Sequence, residues 1–221
     1  MNDINDRPTI GELLRSVRAP KIDLPPFDTD AAPLDPLDLF ASWLADAVDS
    51  EVLQPNAMVL STASVTGAPS ARTVLLKDVV EGGFWFASLD SGPKGADLAT
   101  NPWAALTFFW PGRGRQVRVV GEVTTGERDV AERDFRARHP LARAQAIVGD
   151  QSAPLPGDAQ ELILQQVERL EREPEFVPDD WAAYKVTPHT MEFWAAAPGH
   201  EQVRVGYTRG DDGWRHERLW P

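Results

Sequence analysis

The chain has 221 residues, 34 acidic against 22 basic side chains for a formal net charge of −12, and no cysteine. Without cysteine there is no disulfide framework, thiolate nucleophile, zinc ribbon or cysteine-bound iron–sulfur cluster, and so negative a chain is not built to coat nucleic acid. At 42% hydrophobic residues it suits one domain with a real core. Its polar start and the lack of any run of about 18 apolar residues predict a cytoplasmic protein with no membrane partner.

Residues 1–34 read as an irregular leader, broken by Pro20, Pro25, Pro26 and Pro33. A helix follows, with Asp35 as N-cap, Pro36 at the first helical position, and Leu37, Phe40, Leu44 and Val48 at helical spacing. Short β-rich runs come next, at Ala57–Ala63, Arg72–Lys77, Gly83–Ser88, Trp103–Trp110 and Gln116–Thr125, separated by Gly and Pro turns. Ser91-Gly-Pro-Lys-Gly95 opens a short helical stretch that stops at Asn101-Pro102. Glu127–Arg138 and Asp158–Arg172 read as amphipathic helices around a loop at 150–157. Strands return at Trp181–Thr187, Thr190–Ala195, Val203–Tyr207 and Gly213–Leu219, the last pair turning at Asp211-Asp212-Gly213. Many short strands with few helices and no alternating βαβ units predict an α+β class, a β-barrel with peripheral helices.

The charge is unevenly spread. Eight of eighteen arginines lie between Arg113 and Arg143, which is either a solvated mixture or the lining of a pocket for a small anion. No HExxH, GxSxG, GxGxxG or P-loop occurs, and none of the four histidines is paired at i, i+4. No metal site is expected, and any enzyme here would leave the hard chemistry to a cofactor. Ser91–Gly95 fits a phosphate site, with a helix start and Lys94 as cation, but it also fits an ordinary capped helix. Arg72 and Lys77 flank an apolar strand, and alternation sends them to opposite faces. They reach one ligand only if the strand bends.

Asp35-Pro36-Leu37, Ala57-Met58-Val59, Arg72-Thr-Val-Leu-Leu-Lys77, Lys94 with Asn101-Pro102, Arg115-Gln116-Val117, Gln151-Ser152, Glu192-Phe193-Trp194 and Glu217-Arg218-Leu219 with Pro221, in this order and spacing, resemble the pyridoxamine 5′-phosphate oxidase family. The resemblance covers residues 35–221 as a single domain. It implies an FMN-binding split β-barrel, homodimeric, with cofactor sites at the interface and 176–221 dimerising and covering the flavin. Carried over by position, FMN contacts fall on Arg72, Thr73, Val74, Leu75, Leu76, Lys77, Ala87, Ser88, Lys94 and Gln116 of one subunit. Gln151, Ser152, Trp194 and Arg204 come from the other. Arg72 and Lys94 would hold the phosphate, and Lys77 would lie near flavin and substrate.

The departures fall on the substrate side. Gly92-Pro93 stand where the family has Ser-Arg. The family's substrate-phosphate tyrosine, arginine and serine match Asp134, Arg138 and Ala142, and its Arg-x-His reads His200-Glu201-Gln202. Lys77, Asp134, Arg138, Ala142, His200 and Gln202 are therefore the candidate substrate residues. Lys77 and His200 are the catalytic candidates, His200 being either an acid–base group or a surface histidine. The chain is expected to be an FMN-dependent oxidase of a small-molecule amine, alcohol or dihydro-aromatic donor other than the vitamin B6 phosphates, or one with poor activity on them. A phenazine-type natural-product oxidase, a deazaflavin- or FMN-dependent reductase and a non-catalytic flavin-binding protein are the alternatives.

Overall fold

The computed structural model describes residues 8–18 and 24–221. Helix α1 (Ile10–Ser16) lies in the segment read as irregular. Its signal is a capping box, Thr9 and Glu12 each bonding the other's backbone N–H. Helix α2 (Pro36–Asp49) starts at Asp35, whose carboxylate accepts from Leu37 N–H at 2.9 Å. It buries Leu39, Phe40, Trp43 and Ala47.

Nine strands follow: β1 (Ala57–Ala63), β2 (Pro69–Leu75), β3 (Asp78–Val80), β4 (Gly83–Leu89), β5 (Trp103–Trp110), β6 (Arg115–Thr125), β7 (Trp181–Ala197), β8 (Glu201–Gly210) and β9 (Gly213–Arg218). They form one antiparallel sheet in the order β2-β1-β5-β6-β7-β4-β3, with β8 and β9 continuing from β7. The two ends of that order are consecutive in the chain. Where β2 gives way to β3, Leu76 N–H bonds Asn56 O at 2.9 Å and Lys77 N–H bonds Trp85 O at 2.8 Å. The sheet thus curls and closes at Leu76–Lys77, as the expected split barrel requires.

Phe40 sits inside it, 4.9 Å from the rings of both Phe84 and Phe108, and Trp43 is 5.3 Å from Phe193. Each such buried aromatic is worth about 1.5–3 kcal/mol of burial, so α2 is the plug of the barrel. Helix α3 (Pro93–Thr100) links β4 to β5, and α4 (Arg128–Ala137), α5 (Pro140–Val148) and α6 (Ala159–Arg172) fall between β6 and β7. None of the described helices is long and apolar enough to cross a membrane.

Two strands differ from the sequence reading. The run Arg72–Lys77 is not one strand, because the backbone of 76–77 serves two neighbours. Trp181–Thr187 and Thr190–Ala195 are one strand running through Pro188. The proline sits where one edge of β7 changes partner from β4 to β8, so its missing N–H costs no ladder bond on that edge. On the other edge β6 shifts register at Val120/Gly121. Gly121 is required there, since a Cβ would lie 2.1 Å from Thr187 O.

Candidate active site

Strand β2 pairs with β1 so that Arg72 faces Leu60. Its guanidinium donates to Leu60 O (3.2 Å) and Thr62 Oγ1 (2.7 Å). The Thr62 hydroxyl in turn donates to Asp97 at 2.6 Å, and that carboxylate stands 4.0 Å from Arg72. Lys94, in the first turn of α3, is only 3% exposed. Its ammonium donates to Ser88 Oγ (2.6 Å) and to Gln151 Oε1. Gly95 permits this burial, because a Cβ there would sit 1.9 Å from Asp90 O. Burial, and then the charge of Arg72, push Lys94 down to about 8; burial likewise lowers Arg72, against the pull of Asp97.

Among the described residues no carboxylate pairs with Lys94, and the N-cap Gly92 places no side chain on the start of α3. Two cations and an uncapped helix start therefore lack one anion. A phosphate ester would supply it, accepting charge-assisted hydrogen bonds from the side chains and the free N–H groups. Ser91 serves the loop instead, its hydroxyl donating to Asp180 at 2.6 Å.

A cleft of about 460 Å³ opens beside this corner, lined by Val74, Leu75, Lys77, Ala87, Ser88, Arg138, Ala142, Gln145, Gln151 and Trp181. One wall is α5, through Ala142, Gln145 and Ala146, and Trp181 in another is backed by α4. Ala131 and Phe135 bury against Trp181, with the Phe135 and Trp181 rings 5.3 Å apart. Arg128 clamps the incoming loop through the carbonyls of Pro178, Asp179 and Trp181. Asp134 and Arg138, four residues apart, then meet opposite ends of this arrangement. Asp134 pairs with Lys77 at 2.9 Å and accepts from the Trp181 indole N–H at 3.2 Å. The Arg138 guanidinium lies 4.6 Å over the Trp181 ring.

Leu76 packs its side chain into the barrel core, so only its backbone could meet a ligand, while Thr73 is exposed on β2. Ser152 is exposed and held at φ 74°, the left-handed region a serine seldom adopts.

The remaining candidates form a second group. Gln116 faces Trp194 across β6 and β7, and Trp194 faces Arg204 across β7 and β8. Trp194 donates its indole N–H to Gln202 at 2.9 Å, and Arg204 donates to Glu192 at 2.9 Å and to Trp220 O at 3.0 Å. This group borders a cleft of about 310 Å³ that shares no lining residue with the first. The side chain of His200, at the end of the turn Pro198–His200, lies outside the described residues.

Within one chain, Gln116 stands beside Trp194, because β6 runs antiparallel to β7. The Gln151 amide meets Lys94 of its own chain. Thr62, Asp97 and Trp181 were not anticipated. Each meets its partner 10 to 47 residues away through sheet register, and no local motif marks it.

Residues 44–173 match the family model described as pyridoxamine 5′-phosphate oxidase. Residues 181–221 match the pyridoxine 5′-phosphate oxidase C-terminal dimerisation region, which supports a homodimer. The chain is 38% identical over 200 residues to the pyridoxine/pyridoxamine 5′-phosphate oxidase of a Cyanothece species, covering 88% of this chain and 92% of that one. It is 38% identical over 213 residues to the enzyme of that name from Thermosynechococcus vestitus, covering 96% and 99%. Among solved structures, PhzG from Burkholderia lata 383, in complex with tetrahydrophenazine-1-carboxylic acid, superposes with a TM-score of 0.82 at 26% identity, covering 90% of this chain and 99% of that one. With a curled sheet and matches along both parts of its length, the chain belongs to the pyridoxamine 5′-phosphate oxidase family and is an FMN-binding oxidase of that kind.

Proposed function

We propose that the protein is a cytoplasmic, homodimeric FMN-dependent oxidase whose donor is not a vitamin B6 phosphate. The observation that carries this is the ion pair between Lys77 and Asp134, beside a phosphate corner that is otherwise short of an anion. The cofactor half fits FMN. Lys94, Arg72 and the start of α3 would hold its phosphate, and Val74, Leu75 and Ala87 would border the ring. Bound FMN supplies hydride acceptance from a carbon bearing an amine, a hydroxyl or a ring hydrogen, with oxygen taking the electrons afterwards.

The substrate half has changed its charge. Lys77 is spent on Asp134, and Ala142 offers no hydroxyl. A phosphate placed about 5 Å from the Asp134 carboxylate would be repelled by roughly 3 kcal/mol per unit charge at an effective dielectric constant near 20. Each charged hydrogen bond forgone costs about 1.5–3 kcal/mol more. Together these predict a loss of several orders of magnitude in kcat/KM for pyridoxine 5′-phosphate.

The two clefts of one protomer supply complementary halves, Lys77 in one, with Lys94 behind its Ser88 and Gln151, and Trp194 and Arg204 in the other. In the proposed dimer one half faces the partner's other half across the ring. The exposed face of β1, β5 and β6, with Val59, Val120 and a 58% exposed Phe109, is the surface to be covered.

The test is the visible spectrum of the purified protein, followed by oxygen uptake with pyridoxine 5′-phosphate and with unphosphorylated amine, alcohol and dihydro-aromatic donors. A yellow protein that consumes oxygen only with the unphosphorylated donors is expected. A colourless protein that fails to bind added FMN, or efficient turnover of pyridoxine 5′-phosphate, contradicts the reading. An oxidase of dihydro-aromatic donors in the phenazine manner is the favoured variant, on the strength of the likeness to the Burkholderia lata structure.

A further inference from the structure

We propose that Thr62 and Asp97 are positioning residues for the cofactor's phosphate. The Asp97 carboxylate turns the Thr62 hydroxyl so that its oxygen receives Arg72, and so fixes that guanidinium against the helix that carries Lys94. This rests on the reading of the corner between β2 and α3 as the FMN phosphate site and names what aims it.

Arg72 carries five N–H donors. Those on Nη1 are used on Leu60 O at 3.2 Å and Thr62 Oγ1 at 2.7 Å, and Nη2 spends one on Ser70 Oγ at 2.6 Å. The Nε–H and the second Nη2 hydrogen have no hydrogen-bond acceptor among the described residues and are the pair left for a phosphate.

One buried hydroxyl sets their direction. Thr62 is 3% exposed, so solvent does not orient its rotor. A hydroxyl both donates and accepts, whereas an ionised carboxylate only accepts. With the Thr62 hydroxyl donating to Asp97 at 2.6 Å, its oxygen is left to accept from the guanidinium. The same hydroxyl keeps the two charges apart. Asp97 stands 4.0 Å from Nη2, beyond hydrogen-bond reach, so the carboxylate partly balances Arg72 without consuming its free N–H groups.

Asp97 is the fifth residue of α3, past the first turn in which an acid would serve the helix dipole. Among the described residues its carboxylate accepts a hydrogen bond only from Thr62. Coming from the same helix as Lys94, it ties the two cations of the corner into one frame. It also offsets their repulsion, since Arg72 helps push Lys94 down while Asp97 pulls Arg72 the other way. The other groups on Lys94, Ser88 from β4 and Gln151 from the α5–α6 connection, are neutral.

The test is fluorescence titration of the cofactor-free protein with FMN and with riboflavin, which lacks the phosphate. Thr62→Val removes the spacer and leaves Asp97, so the guanidinium closes on the carboxylate. FMN affinity should then fall about tenfold or more, the loss of a charged hydrogen bond, while riboflavin affinity should not change. Thr62→Ser restores the hydroxyl and should recover most of the FMN affinity. Asp97→Asn keeps an acceptor for Thr62 but leaves Arg72 unopposed beside Lys94. The pH at which FMN affinity begins to fall should therefore move below the value of about 8 expected of the unaltered protein.

Unchanged FMN affinity in Thr62→Val, equal loss of FMN and riboflavin there, or an Asp97→Asn profile whose onset stays at about 8 would overturn the proposal. If Thr62→Val does not fold, the Asp97→Asn profile decides alone. An unaltered protein that binds riboflavin as tightly as FMN, or binds neither, refutes the reading of the corner itself, and the proposal with it.

Discussion

Raising the pH should expel FMN far more steeply than it expels riboflavin, and Lys94 is the reason. In the protein without cofactor, burial and the neighbouring Arg72 push this ammonium down to about 8. A phosphate needs it charged. Above pH 8 each further unit removes about tenfold of the affinity, or roughly 1.4 kcal/mol, so the dissociation constant at pH 10 should exceed that at pH 7 by about a hundredfold. A lysine at its ordinary 10.5 would leave the affinity almost flat over that range.

The stability of the cofactor-free protein moves the other way. The folded value lies below the unfolded one, so between about 8 and 10.5 the unfolded chain binds more protons and stability rises with pH. The gap between the two values amounts to roughly 3 kcal/mol. The hydrogen bonds to Ser88 and Gln151 return about 1 kcal/mol each. Lys94→Met should therefore stabilise the cofactor-free protein by about 1 kcal/mol, or roughly 2–4 °C in Tm for a chain of this size, while abolishing the pH dependence of FMN binding. Fluorescence titration of the cofactor-free protein with FMN and riboflavin, from pH 7 to 10, gives the profile. An FMN affinity independent of pH, or a steep profile that survives in Lys94→Met, refutes the placement of the phosphate at this lysine.

Three further outcomes follow from the same geometry. Asp46 holds both Arg113 (2.8 Å) and Arg115 (2.9 Å), the latter buried with its guanidinium 4.4 Å over Trp43; Asp46→Ala should cost about 3 kcal/mol in urea unfolding by leaving a buried cation unpaired. Gly95→Ala must displace either the helix start or the Asp90 carbonyl and with it Lys94, lowering FMN affinity at least tenfold, whereas Gly112→Ala, with open space around it, should change neither affinity nor Tm. Phe109→Glu should yield a monomer by analytical ultracentrifugation that binds FMN poorly, because the charge falls on the face expected to be covered in the dimer.

What could be read from the sequence followed the strength of local signals. Strands Ala57–Ala63 and Trp103–Trp110 lie between clear turn residues and match the structure residue for residue. Helix α2 announces itself by Asp35 and Pro36. Helix α5 does not, because its N-cap is a histidine, His139, and only Arg143 and Ala144 are buried along it. The three-residue β3 is too short to show alternation, and its existence depends on pairing with β4.

The site divides in the same way. Arg72 and Lys94 stand in recognisable strings, and Asp134 is conspicuous once a tyrosine is expected there. The Lys77–Asp134 pair is invisible locally, since it needs the barrel closed at Leu76–Lys77 and α4 packed on Trp181. The pairing of Gln116 with Trp194 is equally invisible locally, because antiparallel register, not nearness in sequence, sets which residues of the sheet face one another.

The most direct measurement is anaerobic mixing of the FMN-loaded protein with excess pyridoxine 5′-phosphate or pyridoxamine 5′-phosphate, following the flavin's visible band. Lys77 bound to Asp134, with Ala142 offering no hydroxyl, predicts a band that persists with both phosphates and bleaches with an unphosphorylated donor. Rapid and complete bleaching by either phosphate at micromolar concentration would contradict it.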